Sequence, residues 1–332
     1  MGAMGSPISD HADARLLRDA DACVKCGLCL PQCPTYRETG HEGHSPRGRI
    51  ALVQGLVTGL VPATATLEAQ LDGCLSCRRC EAVCPAKVSY SRVLDAGRAR
   101  LAHAKPARVR TARWMSAFLS WSWGPALLRW VVRAVAAMRV PGRWGRYAAA
   151  AAAMTRQSMG SGSIDFPTAT VKSIEPDPIE IRLFEGCVTR ALERDVLDDA
   201  RTLLAVAGYR VVDAPGQTCC GALARHAGLA GEGERLARRN IAAFAGDAPI
   251  ASITSGCAAT CRDAADFDVA GATAFASRVQ DIGPLLLARA DRLRFAALPL
   301  RVALHEPCTL TNVLQSGDAM RTLLRRIPGI EL

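Results

Sequence analysis

Cysteine spacing constrains this chain more than any hydrophobic pattern does. The motif C-x2-C-x2-C-x3-C-P occurs twice, as Cys23, Cys26, Cys29 and Cys33-Pro34 and again as Cys74, Cys77, Cys80 and Cys84-Pro85. Three cysteines so closely spaced turn three sulfurs toward the corners of one [4Fe–4S] cube, and the fourth, too far round to cap it, ligates the other cube. Two clusters are therefore expected, one held by Cys23, Cys26, Cys29 and Cys84, the other by Cys74, Cys77, Cys80 and Cys33. Proline after each fourth cysteine is expected to stop a helix and leave the thiolate at its end. The alternative is structural zinc, which usually takes its four ligands as two separated pairs, a pattern that triplets with a remote partner do not follow.

Composition narrows the setting. Of 332 residues 14 are cysteine, eight of them between residues 23 and 84, six between 187 and 308, and none between those blocks. Disulfide-stapled secreted domains are usually under about 100 residues, and this chain opens without a charged n-region, apolar h-region or cleavage site. A reducing, cytoplasmic setting and metal-bound thiols are expected. Met1 to Ser6 read as a tag remnant and are set aside. The formal charge of +10 is almost wholly arginine, since Lys25, Lys87, Lys105 and Lys172 are the only lysines. Few aromatics (5%), no basic run and no recognised binding motif argue against nucleic acid as a partner. Lys25, Arg37, Arg47, Arg49, Arg78, Arg79 and Arg92 flank the motifs. There they offset cluster charge, dock an acidic partner or lie solvated. His41 and His44 are candidates to dock or ligate nearby.

The expected fold class is α+β. An all-helical, ferredoxin-like two-cluster domain is assigned to 7–103, with a helix over 48–60 joining its halves. A Trp/Arg-rich helical segment and linker follows over 104–178, with helices near 107–121 and 126–139, a break at Gly124-Pro125, and Gly/Ser-rich residues 160–163. Residues 179–332 read as an α/β domain with a mainly parallel sheet, its strands at 180–184, 209–213, 250–254 and 300–304. Helices are expected near 189–207, 221–230, 232–246, 257–265 and 279–290.

On that reading the remaining cysteines follow strand ends: Cys187, then Cys219-Cys220, then Cys257, then Cys308. Loops at the carboxyl ends of parallel strands converge on one edge of the sheet, so these distant thiols are able to meet around one cofactor. Cys219-Cys220 beside Gly221 suggests a loop wrapped around a multi-iron centre. Buried apolar thiols, or zinc, are the alternatives.

The arrangement of Cys187, Cys219-Cys220-Gly221 and Gly256-Cys257-Ala-Ala-Thr-Cys261 resembles the cysteine-rich CCG module of heterodisulfide reductase subunits and of glycolate oxidase iron–sulfur subunits. Ser45-Pro-Arg-Gly-Arg-Ile50, Cys74-Leu-Ser-Cys-Arg-Arg-Cys80-Glu and Leu94-Asp-Ala-Gly-Arg98 resemble the glycolate oxidase iron–sulfur subunit in order and spacing. The likeness covers nearly all of the chain except the Trp-rich middle. It implies a further cluster held by Cys187, Cys219, Cys220 and Cys257, with Cys261 and Cys308 as further candidates. Two features depart from it. The module of heterodisulfide reductases ends in Cys-x2-Cys, whereas Cys257 and Cys261 are separated by three residues; and His305-Glu-Pro-Cys308 resembles the start of a second module whose CCG is missing, so a C-terminally incomplete chain is expected.

There is no strand followed by Gly-x-Gly-x-x-Gly, no Walker loop, no Gly-x-Ser-x-Gly and no His-Glu-x-x-His. Clusters without a flavin or nicotinamide fingerprint pass electrons but accept no hydride, so no catalytic residue is assigned and the hydride acceptor is expected on another subunit. The resemblance implies a flavoprotein that oxidises glycolate or another 2-hydroxy acid, with electrons leaving toward quinone. The rival reading is a heterodisulfide reductase-like subunit that reduces disulfides at the CCG-bound cluster. Trp114, Trp121, Trp123, Trp130 and Trp144, all within 107–145, suit a membrane surface or a quinone-side partner, or else a core helix over the cluster domain. Peripheral placement on the inner membrane face follows from the first of these.

Overall fold

The computed structural model describes residues 10–121, 123–137, 149 and 178–332. The Gly/Ser-rich linker, Trp144 and most of the 148–153 alanine run lie outside the described residues. The chain divides into two compact units. One comprises Met1–Trp114, Gly221–Glu234 and Pro307–Val313; the other comprises Met115–Cys220, Arg235–Glu306 and Leu314–Leu332.

The first unit is helical. Apolar residues at three- and four-residue spacing make helices Pro46–Val57, Ala65–Asp72 and Tyr90–Ala104 amphipathic. Ile50 and Val53, Leu67 and Leu71, and Val93, Leu94 and Leu101 meet in one buried core with Leu16 and Ala20 of helix Asp10–Asp21. Each start is set locally. The Ser45 hydroxyl accepts the Gly48 N–H (2.9 Å) ahead of Pro46, and Thr64 accepts the Leu67 N–H (3.2 Å). Gly97 brings helices Tyr90–Ala104 and Pro46–Val57 together, because a Cβ there would lie 2.4 Å from Val53 Cγ2. The helix expected over 48–60 thus starts two residues earlier, directly after its capping serine. Pro34, expected to end a helix, instead opens helix Pro34–Thr39 with Cys33 at its N-cap. Proline has no N–H to lose in a first turn and arrives with helical φ.

The second unit carries a four-stranded parallel sheet of order β2-β1-β3-β4, with β1 Ile179–Phe184, β2 Tyr209–Val212, β3 Ile250–Ser252 and β4 Val279–Asp281. Three strands fall where expected; the fourth does not. Residues 300–304 contribute one isolated bridge, Arg301 to Glu331, and β4 comes from a segment read as helix, which begins only at Ile282. The Val-Gln-Asp triplet buries Val279 and Asp281, and Asp281 then caps the helix by accepting the Gly283 N–H (2.9 Å). The helix expected over 189–207 is two, Cys187–Leu192 and Arg194–Val206, broken at Glu193. Ile181, Leu183, Leu197, Leu204 and Leu286 are among the residues that fill the core beside the sheet.

Helices Arg110–Ser120 and Gly124–Ala137 occupy the Trp-rich segment. The break falls at 121–123, and Gly124-Pro125 opens the second helix rather than ending the first. The second helix packs against helix Cys187–Leu192. Trp114, Trp121, Trp123 and Trp130 are all at least 62% exposed, so none of the four supplies core. Among the described residues no helix is long and apolar enough to cross a membrane.

Candidate metal centres

The first unit contains two cavities of nearly equal size. One, of about 330 Å³, is lined by Cys23, Cys26, Cys29 and Cys84 with Lys25, Gly27 and Arg47; the other, of about 310 Å³, by Cys33, Cys74, Cys77 and Cys80 with Thr35, Arg49, Arg78 and Tyr90. Each gathers one cysteine triplet and the fourth cysteine of the other repeat. The backbone repeats as well. Lys25 and Ser76 have φ of 57° and 52°, and one residue past the second cysteine Gly27 and Arg78 have φ of 86° and 56°. Left-handed residues alternating with ordinary ones turn successive N–H groups into a concave, anion-binding surface. The Ser76 N–H accordingly donates to Cys74 Sγ (3.4 Å).

Side chains complete the walls. Tyr90 Oη donates to Cys74 Sγ (3.5 Å), and the Thr35 hydroxyl lies 3.2 Å from Cys33 Sγ. Buried Arg98 donates to the carbonyls of Leu71 (3.0 Å) and Cys74 (3.1 Å) and to Ser76 Oγ (3.3 Å). Arg49 is 1% exposed and donates to the Gln70 carbonyl (2.7 Å) and Thr35 Oγ1 (3.1 Å), both neutral. Its remaining Nη2 has no hydrogen-bond partner among the described residues. A buried cation with an orphaned N–H on a cavity wall calls for an anion in that cavity. Burial also pushes the Cys29, Cys77 and Cys80 thiols up, so these cysteines ionise only with positive charge supplied at the sulfur.

These features fit a thiolate-held iron–sulfur cluster, whose iron supplies that positive charge and whose total charge is negative. They fit zinc poorly. Zn–S bonds of about 2.3 Å demand thiols converging on a point. Among the described residues no three His, Cys, Asp or Glu side chains do so. His41 and His44 serve the loop: His41 Nδ1 accepts the Gly43 N–H (3.1 Å), and His44 Nδ1 meets Thr39 Oγ1 (3.0 Å).

In the second unit the thiols gather at the carboxyl edge of the sheet. The chain crosses β1 between β2 and β3, so the crevice of this fold opens between β1 and β3. Cys187 follows β1 and Cys257 follows β3. Cys187 Sγ lies 3.4 Å from Cys219 Sγ, and Cys220 contacts both Cys219 and Cys257. These contacts, together with burial, hold the Cys187 and Cys220 thiols well above their ordinary range. Gly186 admits Cys257, whose Sγ would lie 3.3 Å from a Cβ at that position. Gly221, at φ 91°, turns the chain after the paired cysteines. Buried Asn240 fastens the loop before that turn, accepting the Thr218 N–H (2.8 Å) and donating to the Cys219 carbonyl (3.0 Å).

The last two cysteines fall differently. Cys261 is buried one turn beyond Cys257 on helix Ser255–Arg262. Cys308, expected at the end of a fourth strand, follows no strand of the sheet. It belongs to the first unit, where its charge acts on Cys77 and Asn312 donates to the Cys77 carbonyl (2.8 Å). Thr35, Tyr90, Asn240 and Asn312 were not singled out from sequence. They obey no motif, and only tertiary contact reveals them.

Fold and site define an iron–sulfur protein that joins a helical dicluster domain to a cysteine-rich α/β domain. Family models for a 4Fe-4S dicluster domain and a cysteine-rich domain match residues 19–88 and 181–262. The chain is 32% identical to a probable glycolate oxidase iron–sulfur subunit of Bacillus subtilis, over 93% of this chain and 75% of that protein. It is 29% identical to the glycolate oxidase iron–sulfur subunit of Escherichia coli, over 92% and 74%. One component of the fumarate reductase (CoM/CoB) of Methanothermobacter marburgensis is 24% identical over 97% of this chain and 58% of that protein. No solved structure matches. The chain belongs to the family of glycolate oxidase iron–sulfur subunits, and it is an iron–sulfur electron-transfer subunit.

Proposed function

We propose that the chain holds two [4Fe–4S] clusters and a further iron–sulfur cluster and carries electrons from a flavoprotein 2-hydroxy-acid dehydrogenase of the glycolate type toward quinone. The observation that carries this reading is the pair of equal cavities, each lined by a cysteine triplet and the remote cysteine of the other repeat. Cys23, Cys26, Cys29 and Cys84 hold one cubane; Cys33, Cys74, Cys77 and Cys80 hold the other. Cys187, Cys219, Cys220 and Cys257 hold the third centre, with Cys261 in reserve. The clusters, when bound, supply one-electron transfer. The protein's own work is to exclude water from the thiolates, donate hydrogen bonds to sulfur and set the local charge. Hydride abstraction stays with the partner.

The exit side is the Trp-rich segment, docked on an anionic membrane surface. Trp121, Trp123, Leu127, Trp130 and Val131 recur at helical spacing and are exposed, and no acidic residue occurs between Asp95 and Asp165. Exposed tryptophan with arginine and no carboxylate suits the headgroup region.

The test is the anaerobically purified chain. It is expected to carry about eight irons on Cys23 to Cys84, on the two-cube assignment. Those clusters should bleach with glycolate or lactate only when the flavoprotein is added. Zinc in place of iron, or turnover by the chain alone, would refute the reading. Disulfide reduction by the isolated chain would favour the rival suggested by the CoM/CoB relative.

A further inference from the structure

The two cavities match in backbone and size but not in charge. Around Cys23, Cys26, Cys29 and Cys84 the wall guanidinium is Arg47, which stands at the exposed rim and is already paired to Glu42 (2.6 Å). Around Cys33, Cys74, Cys77 and Cys80 it is Arg49, buried, bonded only to neutral groups among the described residues and left with one orphaned N–H. Buried Arg98 adds a second cation, held on the Cys74 carbonyl, though it shares Asp72 at 3.8 Å. Hydrogen-bond donors to sulfur differ too: Tyr90 Oη meets Cys74 Sγ, and Thr35 Oγ1 meets Cys33 Sγ.

Reduction adds one negative charge, so whatever stabilises negative charge at the thiolates raises the potential. Burial alone works the other way, because water is withheld from the reduced form. Cys33 and Cys80 are buried whereas Cys26 is exposed. The decisive quantity is the field of a cation that shares the same water-free wall, because little screening weakens it there. Arg47 offers no such field, its charge being cancelled by Glu42 and screened by solvent.

We propose that the cluster on Cys33, Cys74, Cys77 and Cys80 has the higher reduction potential of the pair, that Arg49 is the main cause, and that Arg98 and the Tyr90 hydroxyl assist. The inference rests on the ligand assignment above. It makes this thiolate set the one on which an electron settles in the half-reduced protein, and so gives the pair a direction.

An anaerobic redox titration of the iron-loaded full chain, followed by electron paramagnetic resonance, tests it. Two separate waves are expected for the pair. Tyr90→Phe, which removes one hydroxyl and keeps the ring, should lower only the upper wave. Arg49→Gln should lower the same wave further, and Arg47→Gln should leave it unmoved. A shift of the lower wave by Tyr90→Phe, no shift at all, or a single unsplit wave would overturn the proposal. Cys33→Ser and Cys77→Ser distinguish that failure from a wrong ligand assignment: each should perturb the same wave if the assignment holds, and different waves if it does not. Should Arg49→Gln fail to load iron, Tyr90→Phe alone decides.

Discussion

Asn240 shows how much a single buried polar side chain carries here. Its amide satisfies the Thr218 N–H and the Cys219 carbonyl, two backbone groups that the irregular cysteine loop leaves without ladder partners. Asn240→Ala orphans both, at a cost of about 1–3 kcal/mol for each buried group. Because the loop presents Cys219 and Cys220, iron in the second unit should be lost first. Metal analysis of the variant is expected to give about eight irons per chain on the two-cube count, with the N-terminal pair's spectrum unchanged. Equal loss from both units would contradict this assignment of Asn240. Gly48 and Gly97 make the complementary point about space: a Cβ at the first would lie 1.9 Å from the Glu42 carbonyl oxygen, and at the second 2.4 Å from Val53. Both glycines, with Ser45, Arg49 and Arg98, belong to the stretches that carried the family resemblance, and packing explains each of them.

Helix Tyr90–Ala104 is the element that ties the first unit together. One side meets the cluster-domain core through Val93, Leu94 and Leu101; elsewhere along it Asp95 takes Arg225 (3.2 Å) and His226 (3.3 Å) of the segment that follows the paired cysteines. Burial opposes ionisation of Asp95, but the His226 hydrogen bond and the charges of Arg225, His226 and Arg98 outweigh it and hold the carboxyl below its usual range. A folded value below the unfolded one means that the stabilisation is fully present above the ordinary aspartate value of about 3.9 and is lost as pH falls through the lower folded value. Asp95→Asn leaves Arg225 buried without its carboxylate, a loss of about 3 kcal/mol at pH 7. Denaturant titrations of wild type and variant should differ at neutral pH and converge only below about pH 4. Convergence near neutrality would refute the assignment.

For the whole molecule, charge is the quantity that changes meaning once the structure is known. Part of the +10 faces inward, since Arg49 and Arg98 are buried beside thiolates, and that part compensates iron–sulfur anions. The rest is concentrated where carboxylates are absent. On the docking surface proposed above, the chain should co-sediment with vesicles containing phosphatidylglycerol and much less with purely zwitterionic vesicles. Trp123→Ala combined with Trp130→Ala should weaken that association at least several-fold while leaving iron content intact. Equal binding to both vesicle types, or none, would remove the membrane surface as the partner.

Cluster type and ligand grouping were legible in the linear chain because a cube needs three sulfurs from one short turn, and that demand is written as local spacing. The parallel sheet was legible for the same reason, as short apolar strands alternating with helices. Tertiary structure alone decided the rest. Val279–Asp281 displaced 300–304 as the fourth strand, since a triplet pairs or not according to what lies beside it. Cys308 joined the first unit although its sequence neighbours suggested the sheet edge. The buried, unpaired state of Arg49 beside an exposed, paired Arg47, two residues apart in one helix, is likewise invisible to any one-dimensional pattern. Burial and partnership belong to the packed neighbourhood, and they are what distinguish two cluster sites with the same motif.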